Sequence, residues 1–514
     1  MSAPPEDTSP SQHREVLRLA LPAFLALVAE PLFLLVDSAI VGRLGVEPLA
    51  GLGVASAVLL TAANVFVFLA YGTTSVVARR LGAGSREGAV SAGLDGTWLA
   101  VGLGVPTALL VALLARDLSG AFGASAAVVD EATTYLAVSA VGLPAMLVVL
   151  ATTGVLRGLQ DTRTPLVVAV GGFGANALLN LWFVHGLGWG IAGSAWGTVL
   201  AQWGMALALG SVLVREARRA RLPLRAHPGR VLAAARGGVP LLVRTLALRA
   251  VLLLTTWVGA GFGDVPLAAY QVTATLWSFL VFALDALAIA AQAITGRTLG
   301  AGDVARTRAA TRLMVRWGVL GGVVLGVLVL AVRPWVGAWF TPDPAVQAAV
   351  AAGLTVVALQ QPLSGFVFVV DGVLIGAGDG RWLAMAMVGT LVAYVPVALG
   401  VRAAADWLLE GGSVLGQEHA LIWLWLAFTA FMAVRGTLLW LRVRTDRWMV
   451  TGAPADRAPS SANACEPAGE DRRFHTRSRT GRGGGGGAGA LRRGRARVPP
   501  PTARRGRPGG RRRG

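Results

Sequence analysis

The chain contains no lysine, so all 46 of its basic residues are arginine. It has one cysteine, Cys465, in 514 residues, which excludes an intrachain disulfide framework or a thiolate metal site. Charge is scarce as well. Charged residues make up 14% of the chain and the mean hydropathy is +0.62, whereas a soluble domain carries about 25% charged residues. The usual marks of catalysis are missing: there is no HExxH, no P-loop and no GxSxG, and the five histidines are scattered. No enzyme is expected, and no ATP hydrolysis, so any work the chain does draws on an ion gradient. Residues 1–10 are acidic and proline-rich without a basic n-region, so a cleavable signal peptide is not expected.

What the chain has is long apolar runs. They predict an all-α, polytopic membrane protein with twelve helices at roughly 19–42, 49–78, 90–115, 128–156, 165–185, 191–214, 240–260, 266–295, 311–333, 346–375, 382–403 and 420–443. The glycines and prolines inside them are tolerated in a bilayer better than in water.

The two halves repeat at a spacing of 218 residues. Pro22 matches Pro240, and the segment LGAG at 81–84 recurs at 299–302. Phe122 matches Phe340, Pro144 matches Pro362 and Asp161 matches Asp379, without a gap. Two like membrane bundles in one chain indicate a transporter built by duplication, with its path between the halves. The expected organisation is an N-terminal segment 1–18, a six-helix lobe 19–214, a linker 215–239, a second six-helix lobe 240–444 and a disordered arginine- and glycine-rich tail 445–514.

Arginine placement sets the expected orientation. With the N-terminus cytoplasmic, the inside segments hold twenty arginines, against four outside: Arg43, Arg116, Arg333 and Arg402. Both termini are therefore expected inside. Six helices per half is an even number, so the repeats are parallel, related by an axis along the membrane normal.

From residue 445 onward there are 17 arginines against 5 acids, so +12 of the net +19 belongs to the tail. Such a tail offers binding to nucleic acid or anionic lipid. Phe474 is its only aromatic after Trp448, so stacking on bases has little support, and no specific nucleic-acid partner is expected.

Ionisable and amide groups inside the apolar runs are few, and each is costly to bury. They are Glu30, Asp37, Asn64, Asn176, Asn180, Arg244, Arg249, Asp285 and Asp371. Asp37 lies five residues before Gly42 and Asn180 five before His185, which puts both about 8 Å from the outer ends of their helices. Asn176 is one turn deeper on the same face. A carboxylate facing two carboxamides is a candidate proton or Na⁺ site. The alternative is a set of interhelical hydrogen bonds that only fixes packing. The repeat mates are Thr255, Tyr394 and Ala398, so the constellation belongs to the first half alone. In the second half, depth matches Arg249 with Asp285, and places Arg244 and Asp371 nearer the inner surface. Structural ion pairs or a gate are both open there, with Glu30 a further candidate partner for Arg249. The pattern GWGIAG at 188–193 matches a dinucleotide fingerprint, but no strand precedes it, so it is set aside.

Three segments resemble the multidrug and toxic compound extrusion (MATE) transporters, in particular the branch named after the DNA-damage-inducible protein F. They are AEPLFLLVDSAIVG at 29–42, FLAYGTT at 68–74 followed by ARRLG at 78–82, and GVLRGLQDT at 154–162. The resemblance spans about 14–444. It implies a V-shaped pair of lobes that alternate in access and export small organic, often cationic, compounds against H⁺ or Na⁺. It further implies a monomer in the bacterial inner membrane, without a bound cofactor. The family's helix-1 Asp falls on Asp37, its helix-5 pair on Asn176 and Asn180, and a helix-6 Thr on Thr198. Some relatives carry a second carboxylate at the position of Asn180, and its absence here favours proton coupling over a Na⁺ cage. Two alternatives are kept: a flippase for lipid-linked precursors, and a membrane anchor whose function resides in the tail.

Overall fold

The computed structural model describes residues 10–405 and 414–453. Among these the chain is helical throughout, with no strand. Eleven spans are long and apolar enough to cross a bilayer, and a bent pair of helices makes the twelfth.

The first half comprises α1 (Pro10–Gly42), α2 (Val46–Phe66), α3 (Phe68–Gly82), α4 (Arg86–Leu113), a short α5 (Ala115–Gly120), α6 (Ala126–Ala140), α7 (Leu143–Gly158), α8 (Arg163–Leu181) and α9 (Gly190–Arg219). The second comprises α10 (Pro228–Ala260), α11 (Asp264–Gly300), α12 (Val304–Phe340), α13 (Pro344–Gly376), α14 (Gly380–Ala403) and α15 (Val414–Arg444). The pair α2 and α3 form one span, Val46–Gly82, and α6 and α7 form another with a bend of 52°. That bend falls at Gly142, two residues before Pro144. A glycine beside a proline removes both the side-chain packing and the hydrogen bond that keep a helix straight. The repeat mate of Gly142 is Gln360, and there α13 runs unbroken through Pro362.

The repeat is visible in the backbone. Ser85 caps α4 by accepting from the amide of Gly88, and its mate Asp303 caps α12 through Arg306. Ser125 and Asp343 do the same for α6 and α13. Each supplies an acceptor to an otherwise unpaired N–H of the first turn. Gln160 takes a left-handed conformation at φ 67°, and its mate Gly378 has φ 76°.

Three boundaries differ from expectation. Helix α1 begins at Pro10, inside the expected 1–18 segment. The linker 215–239 shrinks to 220–227, because α9 continues to Arg219 and α10 starts at Pro228. Arginine is a strong helix former, and a 33-residue helix such as α10 reaches about 50 Å, well beyond a hydrocarbon core of about 30 Å. The tail is ordered at its start. Asp446–Trp448 forms a 3₁₀ turn, and Trp448 is buried. The rest of the tail, Cys465 included, lies outside the described residues.

The lobes meet at the end of the bundle where the described residues begin and finish. There Gly82 lies against the Arg297 carbonyl, and its mate Gly300 against the Arg79 carbonyl, with no room for a Cβ at either place. Around this crossing Gln292 donates to the Tyr71 carbonyl (2.6 Å), Gln160 to Ala293 (3.1 Å) and Ser75 to Gly376 (3.3 Å), and Glu15 pairs with Arg297. The Arg79 guanidinium donates to Ala377 (2.7 Å), Val450 (2.5 Å) and Gly452 (2.8 Å). Among the described residues every hydrogen bond between the lobes lies in this half of the bundle.

Candidate functional site

Asp37 sits on α1 near the far end of the first lobe and is 2% exposed. Its Oδ1 accepts from Asn180 Nδ2 of α8 at 2.6 Å and from Ser194 Oγ of α9 at 2.7 Å. Its Oδ2 accepts from the Tyr135 hydroxyl of α6 at 3.4 Å. One carboxylate thus ties four helices. Among the described residues no arginine pairs with it.

Local sequence explains how these side chains meet. After Leu181 the α8 helix widens into a π turn, Trp182–Gly186, and the chain reverses through Gly188 and Gly190, whose φ angles are 70° and 59°. Trp182, Phe183 and Trp189 stack across the reversal at 5.2 and 5.1 Å. The glycine pattern at 188–193 is therefore the tight connection of an α8–α9 hairpin. Within that hairpin Gly197 faces Asn180: a Cβ there would overlap the Asn180 carboxamide oxygen and lie 3.1 Å from its backbone nitrogen. The absent side chain lets α9 approach closely enough for Ser194 to reach Asp37.

Asn176 is also buried, but it turns away from Asp37 and donates to Thr198 Oγ1 at 3.0 Å. The carboxylate therefore faces one carboxamide, not two. The Oδ1 atoms of both Asn176 and Asn180 are buried without a hydrogen-bond partner. Tyr135 and Ser194 escaped the sequence reading. The available signals were that Tyr135 is one of only four tyrosines, and that Ser194 lies one turn before Thr198 on the same helix face.

A second group of charges lies nearer the terminal end. Arg244 of α10 and Asp371 of α13 form a bidentate pair, with Nε to Oδ1 at 3.2 Å, and Arg435 of α15 adds a contact to Oδ1 at 3.2 Å. All three are buried. Arg435 was missed although it stands inside the apolar run 420–443. The expected match of Arg249 with Asp285 is not made. Five residues separate Arg244 and Arg249, which turns them roughly 140° apart around the helix, and depth alone carries no information on azimuth. Asp285 instead meets the Tyr71 hydroxyl and interacts electrostatically with Arg157 and Arg244. Arg249 is half-buried and makes no ion pair with a described acid. The side chain of Glu30 lies outside the described residues. Among the described residues Asn64 bonds only its own helix, donating to the Leu60 carbonyl at 2.7 Å. No cluster of three His, Cys, Asp or Glu exists among the described residues.

A duplicated twelve-span bundle, closed at one end and carrying at Asp37 a buried carboxylate that the second copy replaces with Thr255, defines a membrane transporter of two pseudo-equivalent lobes. The MatE family model matches the chain twice, over residues 22–182 and 240–399, and the second match begins 218 residues after the first. The chain belongs to this family. Protein DETOXIFICATION 44, chloroplastic, of Arabidopsis thaliana is 31% identical over 86% of this chain and 84% of its own length. DNA damage-inducible protein F of Escherichia coli is 28% identical, covering 84% and 91%. A crystal structure of MATE in the straight conformation superposes with a TM-score of 0.75 at 21% identity, covering 86% of this chain and 97% of that one.

Proposed function

We propose that the chain is a secondary active multidrug efflux transporter, an antiporter that exports small organic compounds by alternating access in exchange for inward-moving protons. The observation that carries the coupling is Asp37: a buried carboxylate with three donors and no described cation, present in one lobe only. In the ionised state its accepting positions are used by Asn180, Ser194 and Tyr135. A proton arriving on Oδ2 displaces the donation from Tyr135, whose hydroxyl can turn to accept. Asn180 Nδ2 and Ser194 Oγ then hold a neutral acid, a weaker acceptor than a carboxylate. The grip of α1 on α6, α8 and α9 loosens, and Pro22 and Pro31 each remove one N–H donor from the α1 ladder. Two packings of the first lobe with different proton affinities are what coupling requires.

In a bacterial inner membrane, the arginine bias favours the closed end as the cytoplasmic one and the far end as the outside. Asp37 is then reached from the outside. The protein works as a monomer, carries no cofactor and is not an enzyme.

One observation favours a second reading. Among the described side chains Arg157, Arg244, Arg249 and Arg435 outnumber Asp285 and Asp371 where the lobes meet, and such an excess suits the phosphate of a lipid-linked precursor better than an organic cation.

The test is ethidium transport in proteoliposomes under an imposed proton or sodium gradient, with wild type and Asp37→Asn. Proton-driven transport abolished in the variant is expected. Sodium-driven transport would move the role of Asp37 to cation coordination with Asn180 and Ser194. Folded protein that moves ethidium under neither gradient would overturn the efflux reading in favour of the lipid-linked substrate.

A further inference from the structure

Between Glu216 and Asp264 the chain has eight arginines and no acid. This stretch comprises the end of α9, the linker 220–227 and α10. The linker is held against the first lobe. Leu222 and Leu224 pack on the cluster that contains Val77, Ala89 and Leu213. Trp98 Nε1 of α4 donates to the Leu224 carbonyl at 2.9 Å, and Arg230 reaches Ser91 (3.1 Å) and Asp95 (3.4 Å) of the same helix. These contacts lay the linker and the start of α10 back along α4, beside an exposed tryptophan. Exposed tryptophans of membrane helices mark the level of the lipid headgroups.

Along this strap the cations are in excess. Glu216 is engaged by Arg86 and Arg219. Arg218, Arg221, Arg225 and Arg236 are exposed and pair with no described acid. Arg221 stands in the left-handed region at φ 53°, where its amide donates to the Arg218 carbonyl (3.0 Å) and that of Leu222 to the Ala217 carbonyl (2.9 Å), closing α9. Helices α3, α11 and α13 close the same way through Gly84, Gly302 and Gly378, which take this conformation without strain. Helix α7 closes with Gln160, whose side chain is used, since it bonds the Ala293 carbonyl across the lobes. Arg221 has no such partner among the described residues, so neither its backbone nor an internal contact accounts for it. Next to these cations, Leu232, Arg236 and Val239 are exposed on one face of α10, an apolar stripe interrupted by a charge.

We infer that the strap is a binding surface for an anionic phospholipid. The phosphate lies against Arg218, Arg221 and Arg225, and the acyl chains run along Leu232, Val239 and Trp98. Guanidinium groups hold phosphate through paired, charge-assisted hydrogen bonds, and an arginine cluster at the end of a membrane helix attracts anionic lipid. A free phosphate would use the cations alone. The adjoining apolar face and the tryptophan favour the lipid. The inference is independent of which compound the chain exports.

The test uses a photoreactive phosphatidylglycerol, compared with a phosphatidylcholine that bears the same reactive group. Both are applied below saturation to the full chain in phosphatidylcholine nanodiscs. Labelled positions are mapped by mass spectrometry, which separates the strap from the arginine-rich tail. The glycerol probe is expected to label residues 218–239 at least about fivefold more than the choline probe. Arg221→Gly should reduce that label about fivefold, the worth of one arginine beside an anionic lipid. Because glycine suits φ 53°, the thermal midpoint of this variant should hold or rise, so a lost label is not a lost fold. Exchange of Arg14, Arg312 and Arg316, exposed arginines outside the strap, for glutamine should leave the strap label unchanged. Equal labelling by the two probes, or labelling indifferent to Arg221→Gly, would overturn the inference. So would displacement of the probe by millimolar inorganic phosphate but not by chloride of equal ionic strength, which would assign the arginines to a free anion.

Discussion

Asp37 and Asp371 are both buried carboxylates, yet they are compensated differently. Asp371 is held by two arginines, Arg244 and Arg435. Asp37 is held by an amide, a hydroxyl and a phenol, all neutral. Neutralising the first strands two guanidinium groups in an apolar setting. Asp371→Asn should therefore lower stability by about 3–5 kcal/mol, read as a large fall in the thermal midpoint in detergent. Asp37→Asn strands no charge, so its midpoint should stay near that of the wild type. Ser194→Ala removes one donor to a carboxylate, worth about 1.5–3 kcal/mol, and should shift the pH dependence of transport while leaving maximal turnover measurable. A midpoint fall for Asp37→Asn as large as that for Asp371→Asn would contradict the account. At this scale, depth is what the sequence conveys. The contact between Asp37 and Asn180 is legible because each lies five residues from the end of its helix. Tyr135 and the true neighbours of Asp285 are not, because they depend on helix rotation and on which lobe packs opposite.

Among the helices, the pair α8 and α9 shows how a short reversal builds a site. Gly188 and Gly190 turn the chain, the stacked rings of Trp182, Phe183 and Trp189 fix the angle, and Gly197 admits Asn180. Gly197→Ala should push α9 from α8 and cost about 1–3 kcal/mol by overpacking. It should also reduce transport as Ser194→Ala does, because Ser194 is carried on the displaced helix. Wild-type stability in that variant would mean that the hairpin yields, and that the close approach is not needed. The helices themselves are legible from apolar runs, since bilayer thickness imposes their length. Their ends are not, because arginine-rich segments continue as helix beyond the lipid and the runs stop where the lipid does. The bend at Gly142 is also hidden, since Pro144 and Pro362 occupy matching positions and only the neighbouring glycine separates a bent span from a straight one.

For the whole molecule, the 218-residue register predicts the two lobes directly, and the twofold match of the family model falls on it. What the register does not reveal is the role of residues 445–453. By composition they join the arginine- and glycine-rich tail expected to be disordered, yet Arg79 donates to the carbonyls of Val450 and Gly452, and Asp446 pairs with Arg308 at 2.5 Å. A chain ending at 453 should match the full-length protein in thermal stability and ethidium export. A chain ending at 444 should lose about 1–3 kcal/mol, because the Arg79 guanidinium keeps only the Ala377 carbonyl. Equal behaviour of the two truncations would show that the segment only rests on the bundle.

The clasp has a consequence for how the chain can drift. Arg79 holds Ala377, Val450 and Gly452 through their carbonyl oxygens, which every amino acid supplies. Mutation at Ala377 or Val450 can change the side chain and leave the bond in place, while Gly452, at φ 89°, is kept as glycine by its own backbone and not by the arginine. Covariation between positions, the usual trace that a contact leaves in a family of sequences, would be blank here. A joint between the halves of a protein can thus persist through evolution while leaving no paired record of itself.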